Sequence, residues 1–230
     1  MSPIQANLQH VKAGIDASMA VLREGLRRPV TLIAVSKTKS PEEITEAFDA
    51  GQRDFGENYV QEAVGKIGRL QSLRERGLVW HFIGPLQSNK AKLVAHHFDW
   101  SHSVDRLKIA EALSSHREGL PPLNICLQIN VSGEASKSGV APEAAPVLAR
   151  EVVGLPGIRL RGLMSIIENT PDETAQRAQF RMMNRLFDML KNDGIPLDTL
   201  SMGMSQDYRI AIEEGATMVR VGSAIFGARN

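Results

Sequence analysis

Thr31-Leu-Ile-Ala-Val-Ser-Lys37-Thr-Lys39-Ser-Pro41 is an apolar run that ends on a lysine. Leu32, Ile33 and Val35 read as a buried strand of a parallel sheet. Ser40-Pro41-Glu42-Glu43 then reads as an N-cap, a proline in the first helical turn and acids at the positive end of the helix dipole. Lys37 is thereby placed at the carboxyl edge of a sheet, where α/β folds bind ligands. Held there against apolar neighbours, its amine would lose hydration and its pKa would fall, making it a nucleophile toward an aldehyde. This stretch alone is equally compatible with a solvated lysine that caps the strand.

Two further clusters lie near the C-terminus. Leu200-Ser-Met-Gly203-Met-Ser205-Gln-Asp207-Tyr follows one strand, and Val219-Arg220-Val-Gly222-Ser223-Ala-Ile-Phe-Gly227 spans the next. In each, a small residue and a hydroxyl stand where a new helix begins, a place rich in free N–H donors. Both loops carry the pattern at once, which favours a phosphate site over ordinary capping by Ser205 and Ser223. Arg220 interrupts an apolar strand, so it needs a ligand or a salt bridge, for which Glu57 is a candidate partner.

The elements that must hold these residues alternate along all 230 residues. Ile4, Leu8, Val11, Ile15, Met19, Leu22 and Leu26 form the stripe of an amphipathic first helix, expected to pack across the sheet. Eight strands follow: Leu32–Ser36, Asp54–Gly56, Trp80–Gly84, Trp100–Val104, Leu123–Asn130, Leu160–Met164, Thr199–Met202 and Met218–Val221. Helical segments separate them: Pro41–Ala50, Tyr59–Arg76, Asn89–His97, Arg106–His116, Pro142–Val153, Glu173–Lys191 and Asp207–Glu214. Eight strand–helix units imply parallel pairing, and closure into a (β/α)₈ TIM barrel would remove the sheet edges. A doubly wound open sheet is the alternative. No linker, repeat or low-complexity segment divides the chain, so residues 1–230 read as a single domain.

Composition excludes several classes of function. Lysine and arginine total 27 against 26 acids, which gives no electrostatic case for nucleic acid or an anionic membrane. No run approaches the roughly 20 apolar residues of a membrane helix, and no signal-peptide pattern opens the chain. Cys126, inside Leu123–Ile129, reads as an inert buried thiol. The expectation is a soluble, cytoplasmic monomer.

An aldehyde-reactive lysine after the first strand, a phosphate cradle after the seventh and eighth and an inward arginine together suggest pyridoxal 5'-phosphate. Six motifs carry a resemblance to one family. They are Ala34-Val-Ser-Lys37-Thr-Lys39, Phe55-Gly-Glu-Asn58-Tyr-Val-Gln-Glu62, His81-Phe-Ile-Gly84-Pro-Leu-Gln-Ser-Asn-Lys90, Gly162-Leu-Met-Ser165, Ser201-Met-Gly-Met-Ser205 and Arg220-Val-Gly-Ser-Ala-Ile-Phe-Gly227. In this order over nearly the whole chain, they resemble the single-domain pyridoxal phosphate homeostasis proteins. These are relatives of the fold-type III barrel that forms the N-terminal domain of alanine racemase. The resemblance implies that Lys37 binds the aldehyde as a Schiff base, that Ser205, Gly222 and Ser223 hold the phosphate, and that Arg220 faces the pyridine nitrogen. It also implies that Asn58 reaches the ring 3-oxygen.

His81, at the end of the third strand, reads as a ring contact or a satisfied barrel histidine. His96, His97 and His102 read as surface residues rather than a metal site, because adjacent helical side chains point about 100° apart. Lys137 reads as a loop charge or a secondary aldehyde or phosphate contact. An arginine at the pyridine nitrogen weakens the cofactor's electron sink, and the second base of the racemases comes from a domain expected to be absent here. The favoured expectation is a non-catalytic carrier or regulator of the cofactor, with apo forms of pyridoxal-phosphate enzymes as candidate recipients. An amino-acid racemase or lyase is the alternative, and a cofactor-free Schiff-base aldolase the third.

Overall fold

The structure, a computed structural model, describes residues 2–22, 24, 27–132, 138–168 and 170–227. Eight parallel strands close on themselves in sequence order: β1 (Thr31–Val35), β2 (Asp54–Glu57), β3 (Val79–Phe82), β4 (Trp100–Val104), β5 (Leu123–Ile129), β6 (Ile158–Ser165), β7 (Thr199–Ser201) and β8 (Met218–Val221). β1 pairs with β8 through Leu32↔Val219 and Ile33↔Arg220, so the sheet is a closed barrel and the open alternative is excluded. Closure sets β8 and β1 side by side. Loops 187 residues apart in sequence thereby meet at one mouth, where Lys39 donates to the Phe226 carbonyl.

α1 (Pro3–Ala20) precedes the barrel; Ser2 caps it and Pro3 opens it. Around the sheet run α2 (Pro41–Asp49), α3 (Val60–Arg69), α4 (Gln71–Glu75), α5 (Ala91–His97), α6 (Leu107–Ser115), α7 (Ala145–Val152), α8 (Glu173–Asn192), α9 (Tyr208–Glu213) and α10 (Ser223–Phe226). The N-cap predicted at Ser40 is present and forms a full capping box, with Ser40 Oγ accepting from the Glu43 N–H and Glu43 accepting from the Ser40 N–H. Such a box satisfies two donors that the helix ladder leaves open.

Two expectations need correction. α1 does not lie across the sheet; its main contacts are α2, α9 and α10, outside the barrel. It also ends at Ala20, short of the predicted stripe, of which Leu26 lies outside the described residues. The single helix expected over Tyr59–Arg76 is two, α3 and α4, meeting at Leu70. Lys137 also lies outside the described residues.

Outward strand residues such as Leu32, Ala34, Phe55, Trp80 and Phe82 share one apolar core with the helices. Inside the barrel a smaller cluster of Ile33, Trp100, Cys126, Met164 and Met218 fills part of the space. The interior also buries polar residues, among them His81, Ser101, His102, Ser201 and Arg220.

Candidate functional site

Lys37 follows β1 in a turn that is braced from both sides. On one side, Ser36 is buried, its hydroxyl donating to Glu57 Oε1 (2.6 Å) and its carbonyl accepting from Lys66 Nζ (2.7 Å). On the other, the Thr38 N–H donates to Glu62 Oε1 (2.6 Å). Thr38 has φ 65°, a left-handed conformation that a β-branched residue avoids, so its backbone stores strain of about 1–3 kcal/mol. Lys66 ties the two sides together through Glu57 (3.0 Å) and Glu62 (2.5 Å). Burial raises the Glu57 carboxyl above the usual carboxylate range, and the Lys66 ammonium works against that rise. The amine of Lys37 is therefore offered from a rigid, strained turn.

Facing it across one cavity are the residues of the last two loops. Val35, Lys37, Thr38, Lys39, Met204, Ser205, Arg220, Gly222, Ser223, Phe226 and Gly227 line this space. The Gly222 N–H and the Ser223 hydroxyl both approach Ser205 Oγ, at 3.4 and 3.3 Å. Three donors thus converge on one point. Gly222 is needed there because a Cβ would press on the Val35 side chain and carbonyl at 3.2–3.3 Å. Neither serine makes a side-chain cap: Gly222 is the N-cap of α10 and Asp207 that of α9. This removes the capping explanation for both serines.

Arg220 is buried and its side-chain hydrogen bonds go to neutral acceptors, Ser201 Oγ and the Ser165 carbonyl, each at 2.8 Å. Among the described residues no carboxylate pairs with it, and Glu57 is committed to Lys66 instead. Burial lowers the Arg220 guanidinium to about 10, with Asp207 acting against the fall. It stays cationic at neutral pH. Lys39, which also lines the cavity, donates to the Phe226 carbonyl and pairs with Glu43. A cation-rich cavity with convergent N–H and O–H donors suits a phosphate-bearing aldehyde.

Five of the six residues singled out from sequence meet at this cavity. Asn58, at the end of β2, does not line it, and its buried carboxamide oxygen has no hydrogen-bond partner. Cys126 is buried, and burial pushes its thiol up to about 12, which makes it inert. His81 is a satisfied barrel histidine. His102 is not at the surface as expected: it lies fully buried in β4, between His81 Nδ1 (3.0 Å) and Ser201 Oγ (2.9 Å). His96 is exposed and His97 half-buried. Sequence reading missed Lys66 and Glu62. A signal was present, because Lys66 falls within the buried stripe Val60, Ala63 and Ile67 of α3 and must find an anion there.

The model of the alanine racemase N-terminal domain family matches residues 11–230. A pyridoxal phosphate homeostasis protein of Pseudomonas aeruginosa is 56% identical over 232 aligned residues, which take in 100% of this chain and 97% of the relative. The chain belongs to the pyridoxal phosphate homeostasis protein family. PipY of Synechococcus elongatus, solved with PLP bound, is 36% identical with a TM-score of 0.83, covering 97% of this chain and 100% of PipY. Its PLP-free form gives 37% and 0.86 at the same coverage. Alanine racemase from Corynebacterium glutamicum, 16% identical with a TM-score of 0.68 over 94% of this chain and 62% of the racemase, shares the fold alone. In this homeostasis-family chain, Ser36 and Glu57 join the motif at Ala34–Lys39 to that at Phe55–Glu62. The lysine turn and the start of α3 thus form one unit.

Proposed function

We propose that this protein binds pyridoxal 5'-phosphate and acts in homeostasis of that cofactor as a carrier or regulator rather than as an enzyme. One observation carries the reading. A braced lysine, a three-donor cradle and a cationic arginine with no carboxylate partner surround a single cavity. Lys37 is the attachment point for the aldehyde. Ser205, Gly222 and Ser223 take the phosphate, and Lys39 adds positive charge nearby. Arg220 faces the pyridine nitrogen; Asn58, which stands outside the cavity lining, is assigned to the ring 3-oxygen by the family resemblance alone. The homeostasis proteins and PLP-bound PipY support the cofactor assignment.

Bound pyridoxal phosphate supplies an electron sink for amino-acid chemistry, deepest when its ring nitrogen is protonated. A guanidinium has donors and no lone pair, so Arg220 can only donate to that nitrogen and holds it unprotonated. The sink stays shallow, which favours storage and delivery over turnover. We take residues 1–230 as one domain, a cytoplasmic monomer whose recipients are apo forms of pyridoxal-phosphate enzymes. No helix among the described residues is long and apolar enough to cross a membrane.

The test is the visible spectrum of protein mixed with pyridoxal phosphate, before and after borohydride. Reduction should fix the cofactor on a peptide containing Lys37, and Lys37→Ala should lose the band. A full band in Lys37→Ala overturns the assignment. Incubation with single L-amino acids should give D-isomer or α-hydrogen exchange only far below the ~10 s⁻¹ of ordinary enzymes. Turnover near that value would make the protein a racemase or lyase.

A further inference from the structure

A second polar construction runs through the barrel from the opposite end. Asp54, the first residue of β2, has Oδ1 3.0 Å from His81 Nε2. His81 Nδ1 lies 3.0 Å from His102 Nε2, and His102 Nδ1 lies 2.9 Å from Ser201 Oγ. Ser201 Oγ lies 2.8 Å from Arg220 Nη1. His81, His102 and Ser201 are fully buried, while the Asp54 side chain keeps a quarter of its surface in solvent.

Arg220, the buried serine hydroxyl and the Asp54 carboxylate together set the direction of the bonds in this chain. A guanidinium cannot accept, so Ser201 Oγ must accept from it. The buried serine hydroxyl needs an acceptor for its own proton, and among the described residues its hydrogen bonds offer His102 Nδ1. That makes His102 the Nε2–H tautomer, and its N–H donates to His81 Nδ1. His81 in turn carries its proton on Nε2 and donates to the Asp54 carboxylate. Burial holds the His102 ring well below the ordinary histidine value, with His81 and Arg220 adding to the effect. A cation near one mouth and an anion at the other are joined by neutral donors, all pointing the same way.

We propose that Asp54, His81, His102 and Ser201 are positioning residues, a directional hydrogen-bond relay that holds Arg220 in one orientation toward the cofactor ring. This rests on the reading of Arg220 as the partner of the ring nitrogen. The other titratable or charged groups around the relay do not compete for it. Cys126 is a neutral thiol, Asp207 accepts from the Met204 N–H, and Arg161 sits over Trp100, which stacks on His81.

Nitrogen-15 NMR of histidine-labelled protein without cofactor reads the relay directly, with His81→Gln used to assign signals. At about pH 8 both rings should be Nε2–H tautomers, and His102 should remain one down to about pH 5.5. An Nδ1–H tautomer at either ring at about pH 8, or an imidazolium at His102 in that range, overturns the proposal. In the holo-protein, Ser201→Ala should weaken cofactor binding roughly ten-fold and shift the visible band, and Ser201→Thr should restore both. A Ser201→Ala protein that melts earlier but keeps the wild-type band and affinity overturns the positioning role. Should Ser201→Ala not fold, Asp54→Ala removes the terminal acceptor and should mix the His81 tautomers; an unchanged tautomer there also overturns it. Expected tautomers in a protein that takes up no pyridoxal phosphate would sink the cofactor reading instead.

Discussion

Lys66 and Arg220 are both cations taken almost wholly out of water, 6% and 4% exposed, yet they are held in opposite ways. Lys66, under the turn of β1, meets two carboxylates, Glu57 and Glu62, and the Ser36 carbonyl. Arg220, on β8, is hydrogen-bonded to a hydroxyl and a carbonyl. Pairing cancels the field of Lys66 locally, so it acts as a brace. The charge of Arg220 is left uncompensated at contact distance and its field reaches the cavity. In this barrel the buried cation with anionic partners braces the turn that carries Lys37, and the one without them lines the cavity, where the proposed function sets it against the cofactor ring.

The largest expected effect breaks the braced side. Lys66→Met leaves Glu57 buried without its cation, which costs about 3–5 kcal/mol, measurable by urea denaturation. Adding Glu57→Gln to Lys66→Met should recover part of that loss. A cost below about 1 kcal/mol for Lys66→Met would show that the cluster is not a structural pair.

Next come the donors of the cradle. On the proposed phosphate assignment, Ser205→Ala and Ser223→Ala would each remove one hydroxyl bond to a charged group, worth about 1.5–3 kcal/mol. Cofactor affinity should fall roughly ten- to a hundred-fold in each, read by titration of the visible band. Unchanged affinity in both would mean that the serines do not touch the phosphate.

The unpaired side should respond differently in stability. Arg220→Met orphans only the neutral acceptors Ser201 Oγ and the Ser165 carbonyl, so its cost should be about 1–2 kcal/mol, with the bound cofactor's visible band altered. If it destabilises as much as Lys66→Met and leaves the band unchanged, the contrast between the two cations is void.

Much of this site was legible in the sequence because each of its residues stands at the end of a strand. Apolar runs marked where β1 and β8 stop, and the next residues supplied Lys37, Gly222 and Ser223. The Ser201–Ser205 stretch after β7 worked the same way. What was not legible depends on register between strands far apart in sequence. His102 reads as a surface histidine until β4 is set beside β3 in a closed barrel and Ser201 is brought to it from 99 residues away. The break between α3 and α4 at Leu70 was also hidden, since no proline marks it. Its cause is the Leu70 backbone at φ −109°, ψ 24°.

The smallest effect concerns a third buried ionisable group, His102, which avoids charge altogether. Burial holds its ring well below the ordinary value of 6.5 in the folded protein. Above that pH neither state binds the proton. Below it the unfolded chain takes a proton that the folded ring refuses, so stability falls with pH by up to about 1.4 kcal/mol per unit. Glu57 acts in the opposite sense: its raised folded value means that acid protonates the native carboxyl first, which favours folding as pH drops toward 4.5. His102→Gln removes the first effect and leaves the second. Urea denaturation at about pH 8 and pH 5.5 should therefore show wild type losing more than the variant over that interval, by up to about 1.4 kcal/mol. Equal losses would mean that His102 takes up a proton inside the barrel, and then the neutral groups beside Arg220 would no longer be neutral.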